Sequence, residues 1–405
     1  MSEVPIRLSP LTAKQAPQFR APPPLTLYIH IPWCTRKCPY CDFNSHEARD
    51  GIPESAYIAA LVSDLEHELP QVWGRPVETI FIGGGTPSLL QPESVDRLLS
   101  DIRARIPLRP NAEITLEANP GTVDRVKLAE LKAAGINRLS MGVQSLNDDM
   151  LRRIGRIHDS AAARDAAAGI VAAGFDNWNI DLMYGLPGQS IEGALADLRA
   201  ALALGAPHVS HYQLTIEPNT AFHRAPPAGI ADDDTLWEMQ QACSELFAAA
   251  GFEQYEVSAW SKPGHRCGHN LNYWLFGDYL GIGAGAHAKV TVVSAQSVER
   301  SSKLRGPRDY MAGEGAARIA ERRQLDAADL GLEFMMNALR LNEGFPRRVF
   351  EEHAGVPLLM FEKELSRAEE LGLIARDHLH IRPTAQGRRY LNELLMLFVP
   401  GADLA

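Results

Sequence analysis

Cysteine is scarce in this 405-residue chain, positive charge is in deficit, and long apolar runs are missing. No stretch approaches the roughly 18 apolar residues of a membrane-crossing helix. Forty Lys+Arg stand against fifty Asp+Glu, a formal net charge of −10. A nucleic-acid surface needs a basic balance, so no nucleic-acid partner is expected. The cysteines number five, an odd count, and three of them fall together at Cys34, Cys38 and Cys41, with only Cys243 and Cys267 elsewhere. That distribution excludes a disulfide framework and points to a metal site in a reducing, cytoplasmic compartment. Residues 1–24 lack the central apolar run and the cleavage site of a secretory signal, and Arg7, Lys14 and Arg20 are too few for a transit peptide. With Pro5, Pro10, Pro17, Pro22, Pro23 and Pro24 they are expected to form a flexible lead-in. No internal repeat is visible, and alanine enrichment is confined to residues 160–173.

Apolar residues make up 45% of the chain and charged residues 22%, as in a soluble globular protein with an ample core. From residue 25 onward, apolar runs of strand length alternate with helix-periodic segments. Strands are expected at 25–31, 79–85, 113–118, 138–145, 178–184 and 208–216. Helices are expected at 54–69, 92–106, 122–134, 160–173, 190–204 and 232–250. Six strands, each followed by a helix, predict an α/β fold with a parallel sheet curled into a partial (β/α)6 TIM-like barrel over residues 25–250. Residues 251–325 read as a barrel extension and linker, polar and poorly periodic beyond 295. Residues 326–405 read as a small C-terminal α+β winged-helix-like domain, with a β-ribbon at HIRPTAQGRRYL. In such barrels chemistry gathers at the carboxyl ends of the strands.

The loop after the first strand reads HIPWCTRKCPYCDF, so the three cysteines stand as C-x3-C-x2-C. Thiolates at this spacing suit an iron–sulfur cluster or zinc. Zinc needs a closed shell of four, whose missing member would be His30, His46 or a distant group. Three ligands on a four-iron cluster leave one iron open. Other unusual residues fall on the same predicted rim. Gly83-Gly84-Gly85-Thr86-Pro87 offers bare backbone to a ligand's charged amino group. Glu117 ends the third strand and Gln144 the fourth. Asp181 lies on the fifth. Arg156 has the fork geometry that suits a carboxylate.

The cysteine loop, with Tyr40 just before the third cysteine, resembles that of the radical S-adenosylmethionine superfamily. YIHIPWC, CPYCDF, FIGGGTPSLL, LEANPGT, RLSMGVQS and DLMYGLPGQ resemble its branch of oxygen-independent coproporphyrinogen III oxidases and heme chaperones, over residues 25 to about 390. The resemblance implies a [4Fe–4S] cluster on Cys34, Cys38 and Cys41. It implies S-adenosylmethionine held by Tyr28, Tyr40, Gly84, Gly85, Thr86, Glu117, Gln144, Arg156 and Asp181. Whether one such molecule binds or two stays open. The oxidases carry a further cysteine where this chain has Phe43, and a longer segment ahead of their cysteines. Both departures favour the chaperone side. So does His269-Asn270-Leu271-Asn272-Tyr273-Trp274, which resembles a motif linked to heme. An imidazole is a common ligand of heme iron, which makes His269 the candidate, with Tyr273 and Trp274 against the macrocycle. His265 and Cys267 are alternatives. His287 is read as structural or as a contact to a bound ligand.

The resemblance therefore implies a heme chaperone that binds a cluster, S-adenosylmethionine and heme. Its partners would be heme-accepting proteins, some at a membrane, and a homodimer stays open. Rival readings are radical decarboxylation of coproporphyrinogen III and radical methyl transfer to another substrate. The apolar segment at 391–399 suits core packing better than a docking face.

Overall fold

The structure is a computed structural model that describes residues 16–399. Strand β1 (Leu25–Ile31) is covered on both faces, as its nearly unbroken apolar run requires. It is followed by β2 (Val77–Gly84), β3 (Leu108–Ala118), β4 (Arg138–Gln144), β5 (Trp178–Tyr184) and β6 (His208–Gln213). The six strands lie side by side in chain order, all parallel. Parallel neighbours need crossovers. These are built from α1 (Glu54–Glu68), α2 (Pro92–Arg103), α3 (Arg125–Ala134), α4 (Asp148–Arg153), α5 (Ser160–Ala172) and α6 (Ile191–Ala203), with α7 (Asp233–Ala249) after β6. Local chemistry sets their ends. The side chains of Asp124, Ser190 and Asp232 accept the amides of Lys127, Gly193 and Thr235 at the starts of α3, α6 and α7. Gly135 stops α3 at φ 110°, in the left-handed region.

The sheet does not end at β1. After α8 (Gly268–Trp274) the chain adds β7 (Asp278–Ile282) parallel to the free edge of β1. Strands β8 (His287–Val292), β9 (Ser297–Lys303) and β10 (Ile319–Gln324) follow as antiparallel neighbours. The sequence reading of residues 295–325 as poorly periodic linker is corrected here. β8 and β9 carry polar residues because they wall a cavity and bury charges in pairs, and β10 because it is exposed. Lys289 Nζ lies 3.0 Å from Asp278 Oδ1, and Lys303 Nζ lies 2.7 Å from Asp64 and 2.5 Å from Glu68. Each lysine would be costly to bury alone, and its partner lies in another element. The last pairs therefore tie β9 to α1.

Past residue 326 the order is α9 (Ala327–Ala338), a short strand Phe345–Pro346, α10 (Arg347–Ala354), α11 (Glu362–Glu370) and a ribbon of Ile374–Arg376 with His380–Pro383. This is the winged-helix-like arrangement anticipated. Its core centres on Phe334, in edge contact with Phe345, Phe350 and Phe276. Leu394, Leu397 and Phe398 of the terminal apolar segment join that core. Residues 1–15 of the expected flexible lead-in lie outside the described residues. Residues 16–24 depart from that expectation. Phe19 is buried in the C-terminal core, Gln18 donates its amide to Gly355 O at 2.7 Å, and Gln296 grips the Phe19 backbone. The lead-in thus straps the second core against β8 and β9.

Candidate functional site: a cysteine pocket and an adjoining aromatic cavity

Strand carboxyl ends converge on a pocket of about 140 Å³ that gathers Cys34, Cys38, Tyr40, Cys41, Gly84, Gly85, Thr86, Glu117, Gln144, Arg156 and Asp181. Register explains the grouping. Glu117 pairs with Ser140, and Gly142 with Asp181, which pairs with Ser210. Side chains two apart share a face, so Glu117, Ser140, Gly142, Asp181 and Tyr212 line one inner wall. Of the residues the resemblance assigns to S-adenosylmethionine, Tyr28 alone lies elsewhere, in a neighbouring cavity.

All five cysteines are unpaired. Trp33–Cys34 pairs with His46–Glu47, and the Cys41 amide closes a turn onto Cys38 O at 3.1 Å. Thr86 Oγ1 donates to Cys34 Sγ at 3.4 Å, and Arg156 Nη1 to Cys38 Sγ at 3.6 Å. Burial raises the Cys34 and Cys41 thiols above their usual range. Metal loading must therefore expel their protons. The three thiols line the same pocket. Among the described residues no three His, Cys, Asp or Glu side chains are gathered to hold a single ion. A multi-iron cluster gives each sulfur its own metal atom. Neither proposed fourth zinc ligand lines the pocket. His30 spends Nδ1 on Tyr28 OH and Nε2 on Asn44 O, and His46 faces a separate cavity with Trp33.

The glycines do something other than expose amides. Gly85 N–H donates to Ile31 O and Thr86 N–H to Trp33 O, each at 2.7 Å. Gly84 N–H donates to Glu117 Oε2 at 2.9 Å. A Cβ on Gly84 would stand 2.6 Å from the His30 ring, and one on Gly85 2.5 Å from Trp33 O. The run lets β2 close on β1 and the cysteine loop, leaving carboxylates to meet a cationic ligand. Burial, and then the nearby Asp181, push Glu117 up to about 8. Asp181 is raised too, chiefly by burial, and accepts from Asn179 Nδ2 at 2.7 Å. Gln144 holds φ at 70°, a strained value for a non-glycine residue, and its side chain accepts from Tyr212 OH at 2.9 Å. Arg156 Nη2 reaches Gly142 O at 2.5 Å, while its buried Nε has no partner. The pocket thus sets an acidic pair and a partly unsatisfied guanidinium beside three thiols. S-adenosylmethionine, with an ammonium, a sulfonium and a carboxylate, fits that donor set. Sequence reasoning missed Tyr212 and Ser140, although their alternation with Asp181 and Glu117 marks them as inward-facing.

A larger cavity of about 650 Å³ opens beside this pocket and shares Phe43, Gly84 and Glu117 with it. Its walls carry Tyr28, Tyr273, Trp274, Tyr279, His287, Arg300 and Arg305. Tyr273 and Trp274 line it as the heme-linked hexapeptide suggested, but His269 does not. That ring is 1% exposed, with Nδ1 2.7 Å from Thr79 Oγ1 and Nε2 3.0 Å from Tyr273 OH. Burial holds it neutral, down to about 3. His269 is a core hub in this structure, held between Thr79 and Tyr273 and apart from the cavity wall. Cys267 is also buried, close to Glu113, and neither it nor His265 lines the cavity.

Comparison with known proteins agrees with this geometry. Residues 28–201 match the radical SAM superfamily model, and residues 325–390 match the HemN C-terminal domain. Fold and cysteine pocket together define a radical S-adenosylmethionine protein, a class that implies a [4Fe–4S] cluster and S-adenosylmethionine. The chain is 48% identical over 377 residues to the heme chaperone HemW of Escherichia coli (strain K12), covering 93% of this chain and 98% of that one. It is 34% identical to the mitochondrial radical S-adenosyl methionine domain-containing protein 1 of Bos taurus, covering 91% and 86%. Coproporphyrinogen III oxidase (HemN) from Escherichia coli, a radical SAM enzyme, shares the fold with a TM-score of 0.79 at 24% identity, over 93% of this chain and 90% of that chain. The chain belongs to the heme chaperone HemW family.

Proposed function

We propose that the chain binds heme in the aromatic cavity and delivers it to a heme-requiring acceptor, with the cysteine pocket as an adjoining cofactor site. The observation that carries this reading is the shared wall. Phe43, 59% exposed, lies between a thiol pocket and a cavity that combines flat aromatic surface with cationic side chains. Aromatic faces suit a macrocycle, and arginines suit propionates.

Cys34, Cys38 and Cys41 would hold the cluster, and Glu117, Asp181, Gln144, Arg156 and Thr86 the S-adenosylmethionine. When bound, that pair supplies a reducible centre beside a cleavable sulfonium. The protein's own part is to desolvate and orient. Glu117 keeps its proton until a cation arrives, Arg156 fixes one edge of the ligand, and Phe43 screens the cluster side from the cavity. Transfer requires the cargo to leave, and a cavity open at one face permits that.

The acceptor is a heme-requiring protein, soluble or membrane-associated, and the working compartment is the cytoplasm. The test uses one anaerobically reconstituted sample. Hemin titration should give a saturable Soret shift, and the loaded protein should transfer heme to an apo-globin. The same sample with S-adenosylmethionine, reductant and coproporphyrinogen III should form no protoporphyrinogen. Turnover of that substrate would replace the chaperone reading with the oxidase one. Size-exclusion chromatography of the loaded chain tests for a homodimer.

A further inference from the structure

An imidazole that ligates heme iron needs a free ring nitrogen on the surface that meets the macrocycle. The hexapeptide histidine fails that requirement, since both His269 nitrogens are spent inside the core. Two histidines line the aromatic cavity, His30 and His287. His30 is 5% exposed and its two nitrogens are bound by Tyr28 OH and Asn44 O. His287 is different. It opens strand β8, it is exposed, and neither ring nitrogen has a hydrogen-bond partner among the described residues.

The surrounding charges add a second observation. Of the cations on the cavity wall, Lys289 is spent on Asp278, Lys303 on Asp64 and Glu68, and Arg300 on Glu333. Arg305 forms no ion pair among the described residues. It is exposed and makes one long contact, Nε to Asn44 Oδ1 at 3.5 Å. Its other guanidinium edge is free for a carboxylate. On the same cavity wall, the buried indole Nε1 of Trp274 has no partner among the described residues. The cavity therefore presents one free imidazole, one free guanidinium and one unpaired indole N–H around aromatic walls. Partial desolvation on the cavity side, and then the charges of Arg300 and Arg305, also lower the basicity of His287, which favours the metal-binding form of the ring.

We infer that His287 is the axial ligand of heme iron and that Arg305 receives a propionate, while His269 only shapes the wall through Tyr273. This rests on the heme-binding reading above and names its ligands. The iron–nitrogen bond forms from the imidazole lone pair, with no change of oxidation state and no group transferred. A heme seated there lies across Phe43 from the cysteine pocket.

Hemin titration of the full, anaerobically reconstituted chain tests the assignment, with wild type, His287→Ala, Arg305→Ala and His269→Gln compared by Soret position and low-spin electron paramagnetic resonance. His287→Ala should lose the imidazole-ligated spectrum and at least tenfold in affinity, and added free imidazole should restore the spectrum. Arg305→Ala should keep the spectrum and weaken binding severalfold. His269→Gln, where it folds, should keep the wild-type spectrum. An unchanged spectrum in His287→Ala overturns the assignment while the heme-binding reading survives. Wild type that binds no hemin overturns both.

Discussion

Replacing Glu117 by Gln separates the stability of the cysteine pocket from its binding strength. The wild-type carboxyl has an ordinary value of 4.5 and is pushed to about 8 in the folded chain, first by burial and then by Asp181. The folded state therefore holds this proton more tightly than the unfolded chain does. Its contribution is fully present below pH 4.5 and is lost as pH rises to about 8, at about 1.4 kcal/mol per pH unit. Over that window the loss sums to roughly 5 kcal/mol. The amide introduced by Glu117→Gln cannot ionise, and its side-chain carbonyl keeps the bond from Gly84 N–H. The variant should then unfold in urea with a nearly flat pH dependence, where wild type without S-adenosylmethionine weakens steadily from pH 5 to 8. Binding should move the opposite way. The carboxylate that destabilises the empty site is the group that attracts an ammonium, so the Glu117→Gln variant should bind S-adenosylmethionine at least tenfold more weakly at pH 8. Denaturation curves read by circular dichroism at pH 5, 6.5 and 8 decide the first half, and calorimetric titration decides the second. Parallel pH profiles for the two proteins, or unchanged affinity, would refute the reasoning.

Other consequences follow from single contacts. Arg156→Met removes the guanidinium from Cys38 Sγ and Gly142 O, and should lower S-adenosylmethionine affinity tenfold or more while leaving cluster absorbance near 400 nm in place. Gly84→Ala places a methyl 2.6 Å from the His30 ring at a φ of 116°, and should cost about 1–3 kcal/mol and lower the melting temperature. Lys303→Met strands Asp64 and Glu68 without their buried partner, and should cost about 3–5 kcal/mol in urea unfolding.

How much of this was legible depended on whether the signal was local. β1, β2, β4 and β5 are buried on both faces, so their apolar runs stand out, and glycines such as Gly135 mark where helices stop. The cysteine pocket could be assembled from the rule that strand ends carry the chemistry, because its residues sit at the ends of those readable strands. The extension β8–β10 was hidden. Its strands are rich in polar residues and lie at an edge of the sheet, and β10 is exposed along most of its length. Its buried Lys303 is explained by Asp64 and Glu68, more than two hundred residues away. The place of the hexapeptide histidine was hidden for the same reason. An imidazole beside aromatics reads as a ligand until Thr79, on a distant strand, is seen to occupy its Nδ1. For Tyr28 the strand was readable, but not that its hydroxyl turns to His30 in the adjoining aromatic cavity.

The most direct measurement is the electron paramagnetic resonance spectrum of the anaerobically reconstituted, reduced chain before and after S-adenosylmethionine. A [4Fe–4S] signal that changes on addition, and that disappears when Cys34, Cys38 and Cys41 are all replaced by Ala, is the expected result. A cluster signal indifferent to S-adenosylmethionine, or one that survives loss of the three thiols, would contradict the account.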